Sequence, residues 1–422
     1  MRVSRFAQTC CCGFVAVTTV VAAEGCDRSA ADASAARATE ATRTPRPIRV
    51  LIHSGLKGLR VRADRGGDIL DASTQQTLLT LSPRTWAPLA CGESGVWTIA
   101  GREFSADDLL IRSSSADPIW ALTATDPDDS VPLRLPGRVW LDGGDGGAAL
   151  INELDLEEYV ACVAAREVRA DFHAEAFAAQ TILCRTFALC QMRARETQRY
   201  DVIASEGSQV YAGLDDGPAG RKAREAALRT RGLVCVAARD GREDIFPTYY
   251  SAACGGASQS AWEFVPSEKV QPLRGLVTCD YCRIAPEGVY RWGPVEVDET
   301  AVREALVRRY PELPALGRLK SVEVRSRTEL GRPLSLVLTD EAGRSANVLA
   351  EHLRLAVGSR LMRSTDCQIR LDGHLLRFDA GQGFGHGLGL CQWGMQGQAL
   401  SGHKAADILR YYFPESSLVR AY

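Results

Sequence analysis

The chain has 422 residues, of which 45% are hydrophobic and 24% charged, and its formal net charge is −2. That length leaves room for two or three domains with ample material for a core. The near-neutral balance removes any bulk electrostatic case for nucleic acid, and the scarcity of lysine against arginine reads as a compositional bias.

Residues 1–26 read as an export signal: Arg2 and Arg5 precede a mostly apolar or small stretch from Phe6 to Ala23. Ala23-Glu24-Gly25-Cys26 is similar to a bacterial lipobox, although Glu24 is unusual there. Acylation at Cys26, ordinary signal cleavage and a retained anchor all fit. Each predicts an exported protein of the cell envelope or periplasm, touching membrane only through this signal or its lipid. No later stretch is long and apolar enough to span a bilayer. Residues 27–47, rich in Ala, Ser, Thr and Arg, predict a flexible tether.

Residues 48–140 predict a β-rich region of short strands (IRVLI, GLRVRA, QTLLTL, VWTIA, DLLIRS) broken by Gly, Pro and Asp. The remainder, 141–422, predicts one larger domain. RVWLDGG (138–144) and AALINEL (148–154) predict a hairpin, so the near-match of Gly144, Gly146 and Ala149 to a dinucleotide fingerprint carries no cofactor loop. Apolar positions 156, 159, 160 and 163 predict a helix over 155–166. A second helix runs to about Glu196 from an N-cap at Asp171, with Phe177, Leu183, Phe187 and Met192 on its buried face. Helices are also predicted at 221–231, 296–310 and 405–412. Strands are predicted at LVCVAA, IFPTYYSAACGG, SVEVRSR, LSLVLTD and CQIRLDG, ahead of a glycine ribbon that starts at Gly381. The fold class is therefore α+β: a helical catalytic core packed with antiparallel sheets, preceded by a β-rich N-terminal region.

Three constellations carry chemistry. Glu167 ends the first helix beside Ala164, Ala165 and Val168. Apolar walls disfavour a charged carboxyl, so such a residue can serve as a general acid, although a surface glutamate at a helix end gives the same pattern. No second carboxylate declares itself: Asp171 reads as a cap, Glu175 as a first-turn residue, and Glu158 as the other neighbour. The ribbon removes side chains at alternate positions, predicting close approach to a ligand with free amides, while His386, Gln392 and Trp393 offer hydrogen bonds and a stacking face suited to sugars. A tight turn around a core Trp is the plainer reading. Finally, Cys254 with Cys279-x-x-Cys282 is either a zinc set lacking one ligand or a Cys279–Cys282 disulfide with Cys254 apart. Cys162, Cys184 and Cys190, on apolar helical faces, read as small buried hydrophobes.

The joint order of LEEYV (156–160), AAREV (164–168), EAFAAQTILCRTFAL (175–189), QVYAG (209–213), TYYSAACGG (248–256) and GFGHGLGLCQWGMQGQA (383–399) resembles the stage II sporulation protein D family, which includes LytB-type amidase enhancers. The resemblance runs from about Ile48 to Tyr422 and is strongest from Leu150 on. It implies a lytic transglycosylase acting on the glycan strands of peptidoglycan, with Glu167 as the single acid and base and a 1,6-anhydroMurNAc end as product. Gln180, Arg185, Thr186, Tyr249, Tyr250, Ser251, His386, Gln392 and Trp393 would line the groove. No cofactor is required by that chemistry, and a structural zinc at Cys254, Cys279 and Cys282 is a separate candidate. The alternative is a non-catalytic glycan-binding protein that stimulates a cell-wall amidase, and a third reading is a hydrolase in which Asp171 or Glu158 activates water. Two departures stand out. Arg169 occupies a position where the family often has Pro, and YDVIASEGSQ (200–209) lacks the His and Cys with which some relatives bind zinc, so that metal does not carry over.

Overall fold

A computed structural model describes residues 45–92, 95–123, 131–144, 146–205 and 208–422. The predicted signal and most of the predicted tether lie outside them. Among the described residues the chain forms two compact units, one of residues 45–171, 180–234 and 419–422 and the other of residues 172–179 and 235–418.

The first unit is built on two sheets. One runs, in order, through 202–203, 48–56, 148–154, 138–142, 108–113, 67–71 and 77–81, and the other through 133–135, 119–123, 58–63, 87–91, 96–99 and 102–105. Alternation decides which side faces in: along Gly58–Ala63 the side chains of Leu59, Val61 and Ala63 are buried while those between are half-exposed. Each such Leu or Val contributes roughly 1.5–3 kcal/mol by leaving water. The 138–142/148–154 hairpin forms as predicted, with Leu141 opposite Leu150. Strand 148–154 also pairs with 48–56, so one sheet takes strands from either side of residue 140.

Helix α1, Leu156–Glu167, starts where expected, because the Asp155 carboxylate accepts the backbone N–H groups of Glu157 and Glu158. It stops at Val168, whose backbone is extended. Helix α2, Ala174–Ala194, starts three residues after the predicted Asp171 cap. The Asp171 carboxylate is taken instead by Arg169, through Nε at 3.0 Å and Nη2 at 2.9 Å, and the Glu175 N–H donates to His173 Nδ1. Phe177, Leu183, Phe187 and Met192 are buried as predicted, but so are Ala178, Ala179, Cys184 and Ala188 around the other sides. A helix buried all round has no solvent face on which a groove residue would stand. Helix α3 spans Pro218–Arg229, opening on Pro as helices prefer.

The second unit carries small antiparallel sheets over a core that includes Val302, Leu336, Leu353, Met362, Leu376 and Phe378. The predicted helix at 296–310 is shorter. Residues Val295–Asp298 pair as a strand with Leu375–Asp379, and helix α4, Glu299–Arg309, follows from an Asp298 cap. Helix α5, Ala350–Val357, was masked in the sequence by its short length. Helix α6, Gln392–Leu400, forms despite its glycines and converts the end of the predicted ribbon into a helix; α7, Ala405–Tyr412, lies where predicted.

Candidate active site

Glu167 is the last residue of α1 and is only 4% exposed. Ala164, Ala165 and Val168 around it are buried, as the sequence implied. One carboxylate oxygen, Oε1, accepts the backbone N–H of Val210 at 3.0 Å. That amide is held in place by its neighbours. Gln209 Oε1 accepts from the Tyr159 hydroxyl at 2.9 Å, the Tyr159 and Tyr211 rings stack with centroids 5.6 Å apart, and the Tyr211 hydroxyl donates to Asn152 Oδ1 at 2.5 Å. The QVY motif therefore sends two side chains into the unit and leaves the amide between them aimed at the acid. Tyr159 comes from α1 and Asn152 from the strand before it, neither of which the sequence marked as functional.

The Asn152 amide also donates to Pro136 O and Arg138 O, so its side chain is fully committed. Tyr211→Phe is expected to cost about 1–3 kcal/mol, because it orphans a buried acceptor. Denaturant unfolding measures the cost, and Phe at wild-type stability would contradict this view of the clamp.

Other carboxylates of α1 are not paired with Glu167. Glu158 lies nine residues earlier, a rise of about 13.5 Å and half a turn around the helix. A recess of about 240 Å³ lies on that opposite face, lined in part by Glu158, Ala161, Cys162 and Ala165. Glu157 accepts from Arg185 through both oxygens, at 2.8 and 2.6 Å. Asp171 sits on the surface, where the Arg169 hydrogen bond holds its carboxyl below the ordinary range.

Three expected groove residues belong to the core instead. Arg185 has no exposed surface; besides Glu157 it donates to Leu233 O and Ala227 O. Thr186 is equally buried, its hydroxyl donating to Ile182 O one turn back, and Gln180 is buried with its amide 3.4 Å from Cys184 Sγ. Zero exposure leaves none of the three a surface to offer a glycan.

The remaining candidates gather in the second unit. Tyr250–Ser251 pairs in parallel with Leu390–Cys391, Ala253 and Phe384 exchange both backbone hydrogen bonds, and Trp393 N–H donates to Ala252 O. This zips TYYSAACGG to the ribbon. The expectation of free ribbon amides is overturned: Gly383, Phe384, Gly385, Leu388 and Leu390 all donate within the unit. The glycines serve close backbone packing. Gly389 has φ +65°, and a Cβ there would lie 2.1 Å from Tyr249 O. Tyr250, Ser251 and Gln392 are buried, whereas Tyr249 and Trp393 are half-buried. Trp393 packs edge-on against Phe172 at 4.9 Å between centroids, and Tyr249 faces His386 at 6.5 Å.

His386 is buried, and its Nδ1 accepts from Leu388 N–H at 2.9 Å, which puts the neutral ring's proton on Nε2. Burial pushes its pKa down to about 4 from the ordinary 6.5. The unfolded chain therefore binds more protons between those values, and the folded state loses stability as pH falls from about 6.5 to 4. The slope is at most about 1.4 kcal/mol per pH unit and flattens below 4. His386→Gln should remove that component of the pH profile; an unchanged profile would remove the assignment.

Four cysteines also converge in this unit. Cys254, Cys279 and Cys282, paired by sequence, are joined by Cys391 from the ribbon, and all four sulfurs lie within 4.8 Å of one another. The spacing hid Cys391, 109 residues beyond Cys282 and inside a motif that reads as sugar-binding.

Residues 144–236 match the family model described as stage II sporulation protein. The chain is also 29% identical over 274 residues to an uncharacterised protein of Brachyspira hyodysenteriae, covering 63% of this chain and 66% of that protein. It is 31% identical over 72 residues to the amidase enhancer of Bacillus subtilis, covering 17% of this chain and 10% of that protein. The chain thus spans just under two thirds of the one relative and a tenth of the other.

Proposed function

We propose, from the match of residues 144–236 to the SpoIID family model, a lytic transglycosylase of the bacterial cell wall, with Glu167 as its only proton carrier. The family and the amidase-enhancer relative support the cell-wall role. The chemistry rests on one observation: a buried acid at the end of α1 whose Oε1 accepts the Val210 backbone amide. Burial shelters the carboxyl from water, and the Val210 amide steadies the carboxylate once the proton has left.

In this scheme the Glu167 carboxylic acid gives its proton to the glycosidic oxygen as the C1–O bond of MurNAc breaks. The carboxylate then takes the proton of the MurNAc 6-hydroxyl while that oxygen bonds to C1. The GlcNAc-bearing fragment leaves with a free hydroxyl, the other fragment carries a 1,6-anhydro ring, and the acid is restored without water. Ordinary glycoside hydrolysis needs two carboxyl groups about 5–9.5 Å apart. Glu158 is on the wrong face for that, and Asp171 is held by Arg169. Taken by itself, the second unit offers Tyr249 and Trp393, both half-buried, as candidate sugar contacts.

Mass spectrometry of peptidoglycan strands, intact and stripped of stem peptides, distinguishes the readings. Anhydro ends support the transglycosylase, and new reducing ends would favour a hydrolase. Binding without cleavage would favour a glycan-binding stimulator of an amidase.

A further inference from the structure

The geometry points to a structural zinc ion held by Cys254, Cys279, Cys282 and Cys391. This assignment is independent of the proposed glycan chemistry.

The sulfurs come from three separate stretches of chain. Cys254 stands at the turn after strand Tyr250–Ser251, Cys279 and Cys282 flank a tight turn, and Cys391 caps the N-terminus of α6. All four are buried and all are free thiols. Zinc binds thiolates at about 2.3 Å, so a tetrahedral set has its sulfurs roughly 3.8 Å apart. Cys254 Sγ and Cys282 Sγ are 3.7 Å apart, and the whole set lies within 4.8 Å. That is the span of one ion; an iron–sulfur cluster, with several metals and bridging sulfides inside the cage, needs its cysteines more widely spread.

The surroundings suit a bound dianion. Binding Zn²⁺ releases four protons and leaves a ZnS₄ group of charge −2. Cys391 Sγ accepts the N–H of Cys254 at 3.2 Å and of Gly394 at 3.3 Å, and Cys279 Sγ lies 3.1 Å from the Tyr412 hydroxyl. The positive end of α6 also points its amides at Cys391. Gly394 reports how tightly this shell is built: a Cβ there would lie 2.6 Å from Cys279 Sγ and 2.0 Å from the Tyr412 hydroxyl oxygen. The ion would tie the TYYSAACGG turn and the CDYC turn to the residue directly before Gln392 and Trp393. It would thus set the start of the helix that carries two of the candidate sugar contacts.

The full chain, purified without added metal, is expected to contain one zinc per molecule by elemental mass spectrometry. Cys282→Ser and Cys391→Ser should lose it, and Cys162→Ser, outside the cluster, should keep it. Gly394→Ala retains all four ligands and should still hold zinc less well. Where a serine variant fails to fold, the wild type decides. Strong chelator should expose four more cysteines to alkylation and lower the unfolding temperature, and Co²⁺ should restore both with the intense visible bands of tetrahedral thiolate ligation. A metal-free protein with a Cys279–Cys282 disulfide in its peptide map would overturn the assignment. So would iron in place of zinc, or zinc content unmoved by Cys391→Ser.

Discussion

Glu167→Gln is expected to lower the yield of anhydro-ended glycan by on the order of 10³-fold, within the usual range for a general acid–base group. The change is nearly isosteric. The Gln side-chain oxygen still accepts the Val210 N–H, so the end of α1 keeps its partner and the fold should stand. What is lost is the proton itself, since an amide can neither supply one to the leaving oxygen nor collect one from the 6-hydroxyl. Glycan binding should survive, and retention on stripped strands is the control. Equal product from wild type and variant would remove Glu167 from the chemistry. No product from either, with both binding glycan, would move the protein to the amidase-stimulating reading. Glu167→Asp is informative beside it: the shorter side chain keeps an acid but draws it away from the Val210 amide, so partial activity is expected.

Arg185→Ala is expected to cost about 3–5 kcal/mol of stability, the range for breaking one side of a buried ion pair. The guanidinium is fully buried and grips both Glu157 oxygens. Removing it leaves a buried carboxylate with the Gly232 N–H and the Tyr422 hydroxyl for company. Chemical denaturation checks the size, and a loss below about 1 kcal/mol would show the pair to be dispensable. Arg185→Met with Glu157→Gln should recover most of the loss. That pair removes both charges, while the Gln oxygen still accepts from Gly232 and Tyr422. The pH profile offers a second check. Burial raises the Glu157 carboxyl, but the Arg185 hydrogen bonds and charge outweigh it and hold the group below its ordinary 4.5. Its folded value being the lower, its stabilisation is complete above 4.5 and drains away as pH falls below it. Without Arg185 only burial and two neutral donors remain, so the acid loss should begin at higher pH; the double variant should show neither.

Much of this protein was legible before its structure. The Asp155 cap, the apolar stripe of α1, the 138–154 hairpin and α7 follow from local rules, because capping, turn chemistry and periodicity act over a few residues. Glu167 stood out for the same reason, its apolar walls being its sequence neighbours. Most of the errors concern residues whose partners are distant in the chain: Val295–Asp298 extended a helix until Leu375–Asp379 paired with it. Asp171 is the local exception, a predicted cap whose carboxylate is taken by Arg169 two residues before it. Arg185 looked like a groove cation because nothing local reveals that Glu157, 28 residues earlier, neutralises it in the core. Ribbon glycines suggested a ligand, but at Gly389 it is the Tyr249 carbonyl that demands the space.

By itself, then, the order of residues determined the motifs that resemble a known family, and most of the local elements, since the latter depend on short-range sterics and hydrogen bonding; it also singled out Glu167 as the candidate acid. Only the tertiary structure decided that the Val210 amide meets Glu167 and that Cys391 completes a set of four sulfurs. Such contacts follow from where distant segments come to pack, which no local pattern encodes.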